Sequence, residues 1–256
     1  MNCFDFSSKK YIIFGASSGI GRQAAVQLSM LGAKLVLVGR NEKKLQQTYE
    51  MLSGCDHNIL ICDVSDFNSA KVVVKSAVDT DGKKLDGCVF SAGIYTMLPL
   101  GMVTEEKINK IFSTNIFSLM AIIKAFSSKR ISNDGASFVS VSSRAGFIPD
   151  KSQGVYAASK AAINAYTIAA AKEMVTRLIR FNTVCPEAVN TEMGASLKQS
   201  FTSEALAKIY PLGMLEAEDI ANTILFLLSD MSKKITGQCI WLSAGNDGGS
   251  IEGHIF

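Results

Sequence analysis

The stretch YIIFGASSGIG, residues 11–21, decides the fold of this chain. Residues 11–14 form an apolar run that predicts a short buried strand, and the glycines that follow have the spacing G-x-x-x-G-x-G. Gly15 permits a sharp turn out of the strand, Gly19 lets the backbone approach a pyrophosphate, and Gly21 lets the next helix pack closely. The N-terminus of that helix, with its free N–H groups and positive dipole end, favours a phosphate. A plain strand-to-helix turn is the alternative interpretation, because a glycine loop alone is a weak signal.

The rest of the chain alternates strands and helices. Strands are predicted at residues 11–14, 35–38, 59–61, 88–90, 137–141, 181–184 and 239–242, and helices at 19–31, 42–52, 64–78, 105–125, 156–174 and 216–228. The strands are continuous apolar runs, which indicates a sheet covered on both faces. We therefore predict an α/β fold: a doubly wound parallel sheet of about seven strands with helices on both faces, built as one domain over residues 1–256.

Composition limits the classes of function. Hydrophobic residues make up 48% of the 256 and charged residues 19%, which suits a sizeable core and excludes a disordered chain. Lys+Arg number 26 and Asp+Glu 23, with no basic stripe, so no nucleic-acid partner is expected. Two histidines, and six cysteines without a C-x-x-C pair, predict no metal site and reduced thiols. No targeting or membrane segment is recognised, so we expect a cytoplasmic protein without a membrane partner.

The residue after the second predicted strand distinguishes between two dinucleotides. An acidic residue there binds the ribose 2′-hydroxyl of NAD, whereas an arginine pairs with the 2′-phosphate of NADP. The sequence has Arg40 at this position and no carboxylate in residues 38–41. An ordinary surface arginine is the alternative, but a guanidinium can bind a phosphate through two hydrogen bonds. NADP(H) is therefore favoured over NAD(H).

A tyrosine and a lysine one helical turn apart form the candidate reacting pair. Tyr156 and Lys160 lie on one face of the predicted helix, and a nearby cation moves the pKa of a phenol towards neutral pH. Ser143 follows the fifth strand, at the edge where open α/β sheets bind ligands, and its hydroxyl can bond a carbonyl oxygen. On spacing alone, a partly buried tyrosine beside a surface lysine would be the better interpretation. Acyl transfer by the serine is disfavoured, because neither histidine has a suggestive context.

In this order the motifs resemble the short-chain dehydrogenase/reductase family, over about residues 10–245. The resemblance rests on Gly15, Gly19, Gly21, Asp63-Val64, Ala92-Gly93, Asn115, Ser143, Tyr156, Lys160, Pro186, Thr191 and Thr236-Gly237-Gln238. The ordered set is far more specific than any one of its motifs.

The resemblance implies a role for each matching position. Tyr156 would donate a proton to the carbonyl oxygen, Lys160 would bind the nicotinamide ribose and lower the pKa of the tyrosine, and Ser143 would polarise the carbonyl. Asn115 would hold a water that links Lys160 to solvent. The implied cofactor-binding residues are Gly15, Ser17, Ser18, Gly19, Ile20, Gly21, Arg40, Asp63, Val64, Ala92, Gly93, Tyr156, Lys160, Pro186, Val189 and Thr191.

Several positions depart from the family pattern. Phe14 replaces a usual threonine and Ser91 a usual asparagine, so a polar tie between the central strands is either lost or re-made by Ser91. Glu187 stands where a glycine is usual, next to the expected nicotinamide pocket. An exposed side chain is the slightly favoured interpretation of Glu187, and contact with a polar substrate or an altered cofactor affinity is the alternative.

The sequence indicates the substrate-binding residues less specifically than it indicates the cofactor-binding and reacting residues. A segment at about 187–215 carries apolar residues at every fourth position from 193 to 209, and in the family this region forms the substrate lid. With Phe147 and its neighbours it predicts an apolar pocket and a hydrophobic carbonyl substrate. The candidate substrate residues are Tyr95, Phe147, Gln153, Glu187 and Met193.

Three functions remain open. The first is an NADP(H)-dependent oxidoreductase acting on a carbonyl or alcohol, and the second is a 3-oxoacyl-thioester reductase of the acyl-carrier-protein type, which would use the same residues. The third is a non-catalytic NADP(H)-binding regulatory module. By analogy with the family, the long helices at 105–125 and 156–174 imply a homotetramer, with a homodimer as the alternative.

Overall fold

A seven-stranded parallel sheet forms the centre of the computed structural model, which describes residues 4–192 and 202–246. Its strands are β1 (Lys10–Phe14), β2 (Lys34–Gly39), β3 (Asn58–Ile61), β4 (Leu85–Phe90), β5 (Ser132–Val141), β6 (Arg180–Pro186) and β9 (Cys239–Leu242). Two short strands outside this sheet are β7 (Val189–Asn190) and β8 (Leu215–Glu216). The order in the large sheet is β3-β2-β1-β4-β5-β6-β9, and β7 pairs with β8 separately. Every neighbouring pair in the large sheet is parallel, which confirms the predicted fold class.

Helices cover both faces of this sheet. They are α1 (Gly19–Met30), α2 (Glu42–Glu50), α3 (Phe67–Asp79), α4 (Glu105–Phe112), α5 (Ser118–Phe126), α6 (Gly154–Glu173), α7 (Ser203–Ile209) and α8 (Ala217–Leu228). Alternate residues of β1 show the two layers: Ile12 and Phe14 pack with α3, α5 and α6, whereas Tyr11 and Ile13 pack with α1 and α8. Within residues 4–192 and 202–246, we find no helix with the length and apolar character that crossing a bilayer requires.

Two helices differ from the sequence prediction by more than two residues or by an interruption. The helix predicted from residue 64 begins at Phe67, because the Asp66 side chain caps it by accepting a hydrogen bond from the Ser69 N–H at 2.7 Å. The helix predicted over 105–125 is interrupted by a π-helical turn at Ser113–Phe117, between α4 and α5. Inserted turns of this kind are frequent at functional sites, and this one holds Asn115.

The strand order places a crevice at one edge of the sheet. The chain moves outward from β1 through β2 to β3, returns to β4 on the other side of β1, and continues to β5 and β6. The loops that follow β1 and β4 therefore diverge to opposite faces, and this switch point is where open α/β sheets bind ligands.

Candidate active site

A cleft of about 510 Å³ opens at the carboxyl ends of the strands. It extends over the loops after β1, β2, β4, β5 and β6. Every residue for which the family resemblance implied a cofactor contact lines it: Gly15, Ser17, Ser18, Gly19, Ile20, Gly21, Arg40, Asp63, Val64, Ala92, Gly93, Tyr156, Lys160, Pro186, Val189 and Thr191. Its size suits an extended organic cofactor with a small substrate beside it.

The glycine loop leaves the start of α1 open to the cleft. Gly15 has φ +77° and Gly19 φ +52°, in the left-handed region that favours glycine. A Cβ on Gly21 would collide with the Gly15 carbonyl oxygen, which is why the helix packs so closely on the turn. The Ser18 side chain makes no capping hydrogen bond, and α1 has no acidic residue in its first turn. The first N–H groups of α1 are thus available to an anion such as a pyrophosphate.

Ser91 re-makes the polar tie between the central strands. Its hydroxyl donates to the main-chain oxygen of Phe14 at 2.9 Å, and its own N–H donates to the same oxygen at 3.0 Å. The same serine lies against Gly15 and Gly21, at the turn that begins the glycine loop. The substitutions at positions 14 and 91 therefore leave β1 and β4 linked at the cleft.

Arg40 lines the cleft after β2, on the opposite side of β1 from the strand β5 that leads to Ser143. Its side chain is 62% exposed, and Nη1 is 3.8 Å from Oδ2 of Asp63, which also lines the cleft. A contact this long between exposed groups holds the guanidinium only weakly. Arg40 is therefore available for a phosphate on this side of the cleft.

Ser143, Tyr156 and Lys160 come together in the wall of the cleft. The Lys160 ammonium is 5.6 Å from the centre of the Tyr156 ring and donates to the main-chain oxygen of Val141 at 3.0 Å. Burial lowers the pKa of Lys160 to about 8. One turn of 3₁₀ helix, Arg144–Gly146, follows Ser143, whose hydroxyl accepts from the Ala145 N–H at 3.2 Å.

The pKa of Tyr156 differs from the expectation. The resemblance implied that Lys160 lowers it, but burial raises the pKa of Tyr156 to about 12, against a hydrogen bond with Ser143 that lowers it. The ring of Tyr95 packs edge-on against Tyr156 with 4.9 Å between centroids and adds to the increase. The phenol is therefore protonated at neutral pH, and Lys160 is the group that titrates closer to neutrality.

Asn115 lies behind this group rather than on the cleft surface. Its side chain is fully buried, accepts from the Ile94 N–H at 2.8 Å and donates to the Ile94 carbonyl at 3.1 Å and to the Ser159 hydroxyl at 3.0 Å. A Cβ on Gly93 would lie 3.4 Å from Asn115 Oδ1 and 3.5 Å from Lys160 Nζ. The amide thus holds the loop after β4 beside the lysine.

Glu187 is buried, and the expectation of an exposed side chain is wrong. Only 4% of its side chain is accessible, and its carboxylate forms an ion pair with the Nε of Arg144, which is 6% accessible. Arg144 also donates from Nη2 to Asp150 Oδ2 at 3.0 Å. The expectation failed because it did not include Arg144, the residue after Ser143. A carboxylate that replaces a glycine in a closely packed turn needs a cation beside it. Arg144, which follows the neighbouring strand β5, was the sequence signal that could have predicted the burial of Glu187.

The other candidate substrate residues are only partly brought together. Tyr95 and Gln153 line the cleft, and the Gln153 side-chain oxygen accepts from the Asp150 N–H at 3.1 Å. Phe147 does not line it, because its ring packs on Trp241 with 5.1 Å between centroids. Met193 lies outside the described residues, as does most of the predicted apolar stripe.

Comparison with known proteins finds reductases and dehydrogenases that are similar over most of the chain. A family model described as enoyl-(acyl carrier protein) reductase matches residues 15–247. The carbonyl reductase family member 4 of Danio rerio is 34% identical over 93% of this chain and 98% of its own length. The 3-oxoacyl-[acyl-carrier-protein] reductase FabG of Rickettsia conorii is 31% identical over 94% and 98%. The crystal structure of a putative short-chain alcohol dehydrogenase from Sinorhizobium meliloti superposes with a TM-score of 0.88, at 30% identity over 95% and 98% of the chains.

Proposed function

Because the chain belongs to the short-chain dehydrogenase/reductase family, we propose that it is an NADP(H)-dependent oxidoreductase that interconverts a carbonyl and an alcohol. The observation that carries the proposal is the meeting of Ser143, Tyr156 and Lys160 in a cleft that also contains an uncapped helix N-terminus. A phosphate-bearing cofactor and a reacting carbonyl fit the two parts of this one cleft.

The protein side of the reaction follows from the protonation states. A bound nicotinamide supplies the hydride or accepts it. In reduction, the Tyr156 hydroxyl donates its proton to the substrate oxygen while the Ser143 hydroxyl holds that oxygen by a hydrogen bond. A phenol with pKa about 12 is fully protonated at neutral pH, which suits the reductive direction. Lys160, with pKa about 8, exchanges a proton with solvent more readily and supports reprotonation of the tyrosine.

Tyr156→Phe tests this mechanism. It removes one hydroxyl and keeps the ring against Tyr95. We expect a loss of at least about 100-fold in kcat, since general acid catalysis contributes that much or more, with NADPH affinity almost unchanged. Turnover equal to the wild type would refute Tyr156 as the acid.

Arg40 is proposed as the ligand of the 2′-phosphate. Calorimetric titration should then show tighter binding of NADPH than of NADH at equal salt, and Arg40→Asp should reverse the order. Lys43→Asp is the matched control, because it makes the same charge change on an exposed side chain outside the cleft. An equal effect of both variants would show a general charge effect rather than a phosphate contact.

Two alternative functions would give different results in substrate assays. Reduction of a 3-oxoacyl thioester is favoured by the similarity to FabG and would appear as preferred turnover of such thioesters over free ketones. A non-catalytic NADP(H)-binding module would bind NADPH and reduce no substrate in a broad carbonyl screen. Such a module has no physical reason to hold Ser143, Tyr156 and Lys160 together.

The oligomeric state is proposed from the family alone, as a homotetramer or a homodimer. Exposed apolar side chains on the expected interface helices agree with this, namely Phe117 beside Asn115 and Ile168 on α6. Light scattering that shows a monomer would refute it.

A further inference from the structure

The substrate end of the cleft contains a buried ion pair made by two neighbouring loops. Arg144 follows β5 and the candidate catalytic Ser143, and Glu187 follows β6 and Pro186. Both residues line the cleft, together with Asp150. Because β5 and β6 are adjacent parallel strands, their carboxyl ends bring these side chains to one place.

The hydrogen bonds of this pair are incomplete. Arg144 uses Nε for Glu187 and Nη2 for Asp150, and both contacts hold the guanidinium in one orientation. Its third nitrogen, Nη1, is buried and has no hydrogen-bond partner among the described residues. On the carboxylate, Oε2 faces Arg144, whereas Oε1 accepts a long hydrogen bond of 3.4 Å from the Asn246 amide. A donor and an acceptor with spare capacity therefore belong to one ion pair.

The chemistry of this pair selects one kind of group. An alkyl chain would leave the guanidinium N–H buried without an acceptor, which is unfavourable. A carboxylate would meet two acidic side chains around a single cation. A hydroxyl carries an acceptor and a donor without a charge, so it can accept from Nη1 or donate to Oε1.

We propose that Arg144 and Glu187 form a hydroxyl-binding subsite and that the substrate is a hydroxylated ketone, or the matching polyol in the oxidative direction. This inference rests on the proposed oxidoreductase function and replaces the expectation of an apolar substrate. The hydroxyl binds the ion pair while the carbonyl lies at Ser143 and Tyr156, so the pair sets specificity and takes no part in proton transfer.

Matched substrate pairs test the subsite. Hydroxyketones with the hydroxyl one to four carbons from the carbonyl are each compared with the ketone in which a methyl replaces the hydroxyl. Each ratio of kcat/KM is divided by the ratio of rates with borohydride, which removes intrinsic reactivity. At one or more chain lengths the wild type should prefer the hydroxyketone by about tenfold or more, equivalent to about 1.4 kcal/mol.

Variants locate the preference in the ion pair. Arg144→Met with Glu187→Gln should bring the normalised ratio close to one, and Glu187→Gln alone, which keeps size and shape, should reduce it. The control is Arg177→Met with Asp134→Asn, which removes an Arg–carboxylate pair of 2.7 Å outside the cleft and should keep the wild-type ratio.

The outcomes separate this inference from the function beneath it. Turnover with no normalised preference, or a preference that the Glu187→Gln variant keeps in full, overturns the subsite alone. Preferred turnover of a matched ketoacid also overturns it, because the charge argument excludes an anion. No turnover of any ketone by the wild type, with either cofactor, overturns the proposed function and the subsite with it.

Discussion

Breaking the Arg144–Glu187 pair should destabilise the protein far more than removing both partners. The perturbation is a cycle of three variants: Glu187→Leu, Arg144→Met and the double substitution. Both side chains are at most 6% accessible, so each charge depends on the other for its compensation. Removing one partner of a buried pair costs about 3–5 kcal/mol, whereas replacing both with apolar groups is often neutral.

The structure places Glu187→Leu at the lower end of that range. Arg144 keeps its hydrogen bond to Asp150 in this variant, so the expected loss in free energy of unfolding is about 3 kcal/mol. For a chain of this size that corresponds to roughly 6–12 °C in Tm. The double variant should recover most of the stability that either single variant loses. The sum of the two single losses should therefore exceed the loss of the double variant by a large coupling energy.

The cost of Arg144→Met should depend on pH. Burial already raises the pKa of Glu187 against the effect of Arg144, and losing the cation raises it further. An acid with a raised native pKa holds a proton that the unfolded chain has released, so its contribution to stability falls as pH rises through the native pKa. The variant should therefore be closer to the wild type at pH 5 than at pH 8, whereas Glu187→Leu should show no such trend from residue 187.

Urea unfolding of the four proteins, at the two pH values, measures the cycle. The matched control is the exposed pair Lys44–Glu192, 2.8 Å apart with side chains 41% and 73% accessible, for which about 0.5 kcal/mol or less is expected. A coupling energy between Arg144 and Glu187 as small as that of the control would refute the reasoning. So would an Arg144→Met loss that is greater at pH 5 than at pH 8.

Three further predictions follow from local geometry. Gly21→Ala should lose about 1–3 kcal/mol of unfolding free energy and much of the NADPH affinity, because the added methyl collides with the Gly15 carbonyl. Gly101→Ala is the silent control in denaturation and titration, because no atom of the described residues, its chain neighbours aside, lies within 4 Å of a Cβ added there. Lys160→Met should abolish reduction yet raise Tm at pH 7, because a native pKa of about 8 leaves the buried Lys160 mostly charged at that pH and its desolvation cost is then present in full. Between pH 8 and the ordinary 10.5 the unfolded chain holds a proton that the native state has lost, so the stability of the wild type rises with pH and the gain from the substitution should shrink. A lower Tm would contradict this. Ser91→Ala should lose about 1 kcal/mol with the bond to β1, and an unchanged urea midpoint would show that the tie is dispensable.

The fold was predictable because its determinants are local. The apolar runs and helical periodicity specify each element from its own residues, and continuous apolar strands require cover on both faces. The error at the start of α3 came from a single cap, since Asp66 ends the loop three residues later than the apolar pattern suggested. The π-turn at Asn115 leaves helical periodicity nearly unchanged on either side, so the sequence pattern gave no sign of it.

The sequence by itself determined the strand–glycine-loop–helix unit and the alternating elements, because backbone freedom and periodicity are properties of the residues themselves. The candidates Ser143, Tyr156 and Lys160 rested on the resemblance to the family, since the spacing of the tyrosine and lysine alone favoured an ordinary structural role. Only the tertiary structure decided the environment of the site. Burial raised the pKa of Tyr156. The adjacency of β5 and β6 paired Arg144 with Glu187, an acid that the sequence analysis expected to be exposed. Those outcomes depend on desolvation and on which strands are neighbours, and neither quantity belongs to any single stretch of chain.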